Sequence, residues 1–164
     1  MSVYHFCEWL EKTPIGLLIR DSSWLFPVIE SIHVLGIVVL VGSTGLFDLR
    51  LLGRGFLRDK PASWVKAQVM PWVWTSFSVM VLSGSLMFSY EATKCYKSWF
   101  FWIKLSLLTL AGLNAVIFQW GANRSIAAWD DPKASAPWSA QLAAWVSLIL
   151  WAFIVGAGRG IAYY

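Results

Sequence analysis

Charged side chains are scarce in this sequence. Asp, Glu, Lys and Arg make up only 13% of the 164 residues, about half the share usual in a soluble globular domain. So few charges cannot cover a water-facing surface, which excludes an ordinary soluble protein. Histidine and cysteine are equally sparse, with two of each. Cys7 and Cys95 form no CxxC metal or redox motif, and without a CxxCH any haem would be held non-covalently. A nucleotide-binding glycine loop, an HExxH zinc motif and a plausible Ser/His/Asp set are also missing. Met1–Lys12 lacks the basic start and apolar core of a signal peptide and carries Glu8 and Glu11, so no cleaved leader is expected. Ser2 after Met1 excludes myristoylation, and the ending Ala162-Tyr163-Tyr164 is no prenylation box. The net charge of +4 is carried by few residues. Lys and Arg therefore read as topology determinants and lipid-headgroup contacts, and no nucleic-acid partner is expected.

Apolar residues are abundant: 58% of the chain is hydrophobic and 16% aromatic, including 12 Trp. A run of about 20 apolar residues crosses a bilayer as a helix. Four such runs are present, about 24–47, 71–90, 99–120 and 138–161. Pro27 and Pro71 read as first-turn residues of spans one and two. Trp24, Trp72, Trp99, Trp102, Trp120 and Trp138 fall near span ends, as an aromatic belt requires. Short connectors predict an all-α, up-down-up-down four-helix bundle in a single membrane domain, residues 1–164. Residues 2–22 precede it. Val3, Phe6, Cys7, Trp9 and Leu10 recur at helical spacing and predict a short amphipathic interfacial helix. Thr13-Pro14 then starts a second short segment, and Asp130-Asp131-Pro132 marks a turn before span four.

Basic residues set the expected orientation. The connectors after spans one and three carry Arg50, Arg54, Arg58, Lys60, Lys66, Arg124 and Lys133; the opposite face carries Lys12, Arg20, Lys94, Lys97 and Arg159. The positive-inside rule places both connectors in the cytoplasm and both termini outside. In a bacterium this is a multi-pass protein of the inner (cytoplasmic) membrane with periplasmic termini. Cys7 and Cys95 then share the oxidising face, which leaves a disulfide between them open.

Polar groups inside a span are costly, roughly 2–4 kcal/mol at mid-depth, and tend to face a cavity, a partner or a cofactor. Span one holds Glu30 and His33, three apart on one helical face. His33 can be a haem or metal ligand, a proton carrier or a hydrogen-bonded interior group. On the ligand reading Glu30 accepts the other ring N–H, and Gly36, one turn on, leaves a shallow wall for a flat macrocycle. Lys104 in span three either snorkels to the headgroups or meets a carboxylate such as a haem propionate, and Arg159 and Arg20 are candidates for the same cationic rim. His5 is a second ligand only if its helix folds over the bundle. Met80 and Met87 share a face of span two, seven apart, where core packing competes with axial or copper(I) ligation. Asn114 and Gln119 are expected to hydrogen-bond between helices. Tyr4, Tyr90, Tyr96, Tyr163 and Tyr164 gather near the outer face as belt residues.

TPIGLLIRDSSWLFPVIESIHVLG (13–36), DLRLLG (48–53), PWVWTSFSVMVLSG (71–84), FFWIKLSLLTLAGLNAVIFQ (100–119) and GRGIAYY (158–164) resemble a family of small bacterial four-span membrane proteins without an assigned function. The layout is also distantly similar to the haem-dependent membrane protoporphyrinogen oxidases and the copper-resistance membrane proteins near them. The matching positions are His33, Arg50-Leu51, Pro71 with Gly84, and Trp102-Ile103-Lys104. That similarity implies a tetrapyrrole site with His33 as ligand and Lys104 nearby. Those oxidases tend to carry a second, late His where this chain has Gln119, so bis-His ligation from spans one and three is not available.

The expectation is therefore an integral-membrane b-type haem protein with a redox or electron-transfer role. Its cofactor-binding residues would be His33, Glu30, Lys104, Arg159 and Gly36, with His5 or Met80 as alternative second ligands to iron. No catalytic residue is assigned. An open sixth position would suit a haem-dependent oxidoreductase serving a quinone or a periplasmic redox partner. The alternatives are handling of copper or another small cation through His33, Glu30 and the Met pair, and a structural subunit of a membrane complex. A homo-oligomer in the lipid bilayer fits each of them.

Overall fold

A computed structural model describes residues 2–131 and 134–161. Pro132 of the expected turn, Lys133 of the basic connector and the tyrosines Tyr163 and Tyr164 lie outside the described residues. The described chain is all helical. Helices α1 (Val3–Glu11) and α2 (Pro14–Asp21) precede the long helices α3 (Leu25–Leu51) and α4 (Ala62–Tyr90). The short α5 (Ala92–Lys97), α6 (Trp99–Trp120), a 3-10 segment (Ala122–Ala128) and α7 (Trp138–Ile161) follow. α3, α4, α6 and α7 are long and apolar enough to cross a membrane.

The helix starts follow capping chemistry. Ser2 accepts from the His5 N–H at the start of α1, and Thr13 accepts from the Gly16 N–H with Pro14 in the first turn of α2. The sequence placed the start of span two at Pro71. Instead α4 begins at Ala62 and runs through Pro71, which a membrane helix tolerates when neighbouring groups re-satisfy the backbone. Likewise α3 continues to Leu51, so Asp48 and Arg50 belong to its buried last turns. Gly53 and Gly55 release the chain from α3 with φ of +66° and +77°, values that only glycine adopts without strain.

α3 is the central helix. It packs on α4 and on α7, and α7 packs on α6. α4 and α6 have no extended contact, so the ring of four is open along that side. The open side is bridged at both ends. Lys66 of α4 donates to Gln119 of α6 at 3.1 Å and to Asn123 at 2.7 Å, while Phe88 of α4 stacks on Phe101 of α6 with centroids 5.4 Å apart. Asn114 donates to the Ala143 carbonyl at 2.9 Å and ties α6 to α7, as expected of an amide in a bundle.

The apolar core sits at the Lys66 end, where Phe47, Leu51, Val65 and Val69 pack on the small residues Ala62, Ala136, Ala140 and Ala144. Small residues let helices approach where lipid removes most of the hydrophobic drive. The other end is capped by α1, α2 and α5. There α1 packs on α5, and α2 packs on α4.

Candidate functional site

His33 lies on the buried seam of α3, formed by Ile29, His33, Gly36 and Leu40. It is 8% exposed. Its Nδ1 is 2.9 Å from Oγ of Ser83 on α4. The Ser83 hydroxyl donates its proton to the Val79 carbonyl at 2.6 Å, the usual back-bond of a helical serine. With that proton committed, Ser83 can only accept from the ring. Nδ1 therefore carries the hydrogen and Nε2 keeps its lone pair. No hydrogen bond is made by Nε2 among the described residues. Gly84 gives the ring its space, since a Cβ there would sit 3.3 Å from His33 Cε1.

Lys104 of α6 faces the same interior. Its ammonium interacts electrostatically with the His33 ring and with the Cys95 thiol. It would lie 3.6 Å from a Cβ on Gly158 of α7, so a glycine makes room for it. Lys104 has no ion pair and no hydrogen bond among the described residues. One turn earlier on α6, Phe101 is the ring stacked on Phe88. The site thus combines a fixed imidazole lone pair, a partly buried cation without an anion, and a parallel pair of aromatic rings on the open side of the helix ring.

The other expected residues are elsewhere. Glu30 is exposed, and the ring nitrogen expected to meet it is hydrogen-bonded to Ser83 instead. Arg159 is exposed in the last turn of α7. Arg20 pairs with Glu11 at 3.5 Å and donates to the Tyr90 carbonyl at 3.4 Å, on the outside of α2. Gly36 is buried, but the room it leaves is filled by Met80, whose Cγ and Sδ would lie 3.2 and 3.4 Å from a Cβ there. Met80 is thus packing between α3 and α4, one turn from Ser83. His5 is exposed at the start of α1, with Nδ1 2.7 Å from Ser2 Oγ. No group of three or more His, Cys, Asp and Glu that could hold a metal ion occurs among the described residues.

Cys7 and Cys95 are free thiols on facing helices. Tyr4 meets Tyr96 with ring centroids 6.1 Å apart, and the Glu11 carboxylate accepts from Thr93 N and Oγ1 at 2.8 and 2.7 Å. α1 and α5 are therefore antiparallel, and the same register brings Cys7 opposite Cys95. Burial pushes the Cys95 thiol up to about 11; the nearby Glu91 and Cys7 add to this, and Lys94 and Lys104 oppose it. Thiols react as thiolates. Alkylation of Cys95 in the folded protein should therefore be very slow at pH 7.5 and accelerate toward pH 11. Mass spectrometry of iodoacetamide-treated protein reads this directly. Labelling at pH 7.5 as fast as in denatured protein would contradict it.

A family model described as a family of unknown function (DUF6644) matches residues 6–164. No curated protein and no solved structure matches the chain.

Proposed function

The chain belongs to this family of unknown function, and we propose that its members of this form are membrane haem proteins with His33 as the axial ligand. The observation that carries the reading is the Ser83–His33 hydrogen bond. It holds the ring in the tautomer whose Nε2 lone pair is free, and metal-bound histidines characteristically donate their other N–H to such a partner. Two further features support it. Lys104 supplies a cation with no ion-pair partner among the described residues, which suits a propionate. Gly84 lies against the His33 ring and Gly158 against the Lys104 ammonium, and Phe101, one turn before Lys104 on α6, stacks on Phe88.

These residues fit a b-type haem better than a bare copper or other cation. A bare ion needs several protein ligands converging on one point, and none converge on His33 among the described residues. A macrocycle brings four of its own. Bound haem would supply one-electron iron chemistry. The chain's part is to hold Nε2 unprotonated through Ser83, to keep a positive charge at Lys104 within the apolar bundle, and to leave the α4–α6 side open toward the lipid, where a quinone would approach.

The test is the absorption spectrum of detergent-purified protein expressed with haem available, oxidised and dithionite-reduced, beside His33→Ala. A Soret band that shifts on reduction in the wild type and is lost in His33→Ala is the expected result. A colourless wild type would sink the reading, and metal analysis of that sample would then separate cation handling from a purely structural role.

A further inference from the structure

The opposite end of the molecule holds a second polar site that the haem reading does not use. Arg50, in the last turn of α3, is 2% exposed. Its Nε donates to the Lys60 carbonyl, which anchors the α3–α4 connector to the helix end. Its Nη2 is buried and has no hydrogen-bond partner among the described residues. A buried guanidinium with an unmet donor is costly, because the charge loses its water without a full replacement.

The neighbouring carboxylates do not meet that need. Asp48 is two residues away on α3 and forms no ion pair with Arg50 among the described residues. Asp130 is near enough to feel the Arg50 charge, but its two oxygens accept from the Ser63 N–H and hydroxyl. Asp59 lies 3.5 Å from Arg58 on the exposed rim.

Arg50 lines a cavity of about 420 Å³, shared with Arg58, Asp59, Ser135 and Gln141. The Gln141 amide nitrogen already donates to the Ala136 carbonyl, and Arg58 is paired with Asp59 at the exposed rim, so Nη2 of Arg50 is the buried donor left unmet in the wall, with the Arg58 guanidinium beside the same cavity. The cavity opens at the end of the membrane helices, beside a connector with an exposed Phe56 and with cations over aromatic rings. Arg54 lies over Trp145 at 5.2 Å and Lys60 over Trp64 at 5.8 Å. Basic and aromatic side chains of this kind sit at the level of lipid headgroups.

We propose that the Arg50–Arg58 cavity is a phosphate-binding site. Guanidinium forks match phosphate oxygens two at a time, and Nη2 of Arg50 is the donor that the anion would satisfy. The phosphate comes either from an anionic phospholipid headgroup or from a free phosphate in the aqueous phase. The site is independent of the cofactor at His33, being tied to the other end of α3.

Thermal unfolding of the full chain in a neutral, phosphate-free detergent tests the proposal. Four additions are compared: inorganic phosphate, dioctanoyl phosphatidylglycerol, dioctanoylglycerol, and sodium chloride at matched ionic strength. Stabilisation by phosphatidylglycerol alone assigns a lipid headgroup; stabilisation by inorganic phosphate as well assigns the free anion. Neither chloride nor dioctanoylglycerol should act. Arg58→Gln, an exposed change that leaves the fold intact, should raise the apparent Kd about tenfold, the loss of one guanidinium–phosphate contact. Arg50→Lys should raise it further and is informative where it folds. No stabilisation by either phosphate compound, or an Arg58→Gln titration identical to wild type, would overturn the proposal, leaving a cavity filled by water.

Discussion

Ser83→Ala should weaken the haem binding proposed at His33 by roughly 10- to 100-fold, the usual cost of losing the group that orients a metal-bound histidine. The alanine removes the acceptor of the Nδ1–H, 2.9 Å away, together with the hydroxyl's back-bond to the Val79 carbonyl. The ring is then free to protonate at Nε2 instead, which takes away the lone pair. Gly84 should give a graded version of the same loss. An alanine there brings a Cβ to 3.3 Å from His33 Cε1, which a shift of a few tenths of an ångström relieves. Valine adds two methyl groups against the ring and should displace it, and haem content should then fall to the level of His33→Ala. Titration of each apoprotein with hemin, read at the Soret band, checks the series. An unchanged Kd in Ser83→Ala would mean that nothing binds through Nε2, even if some pigment copurifies.

The same geometry shows how far this site was legible beforehand. A buried run with a lone histidine is visible in any reading of α3, and His33 is indeed on the seam. Glu30 was the error, and its cause is angular. Residues advance about 100° around a helix. Ile29, Gly36 and Leu40 therefore lie about 40°, 60° and 20° to one side of His33, and Glu30 about 60° to the other. The buried seam runs through Ile29, His33, Gly36 and Leu40, so Ile29 shares it and Glu30 turns outward. Ser83 was out of reach for a different reason. It is 50 residues away in sequence, and one serine among several in span two carries no local mark of its partner. Gly36 does sit at a close approach, but between α3 and the side chain of Met80 rather than a macrocycle.

The four spans were legible because a long apolar run suffices to place a membrane helix. The exceptions lie where local rules yield to packing. Pro71 reads as a helix start, yet Val65 and Val69 on its N-terminal side are buried in the core against Ala140 and Ala144, and that burial draws the helix back to Ala62. Arg50 reads as the first cation of the connector after span one, yet the following chain folds back so that the Lys60 carbonyl accepts from it. Neither the open side between α4 and α6 nor the cavity at Arg50 has a signature in a linear pattern. Both arise from which helices touch.

Gly16→Ala should detach the cap formed by α1 and α2 from the bundle. A Cβ at Gly16 would lie 2.7 Å from the Glu11 carbonyl oxygen, 2.9 Å from that of Ser89 and 3.0 Å from that of Leu10. All three are backbone atoms and cannot swing aside as a side chain would. The Ser89 oxygen belongs to α4, so the added methyl pushes α2 off the helix that carries Ser83. Overpacking of this kind costs about 1–3 kcal/mol. The expected result is a lower melting temperature, with faster amide exchange and protease cleavage confined to residues 2–21. Gly112→Ala and Gly156→Ala are the controls, since nothing lies within 4 Å of a Cβ at either. If α2 detaches while the haem proposed at His33 is retained, the cap serves the fold alone. If haem dissociation accelerates as well, α2 holds closed the end of the bundle in which the ligand sits. A variant with wild-type melting and exchange would show that α2 is not seated on α4 through Gly16.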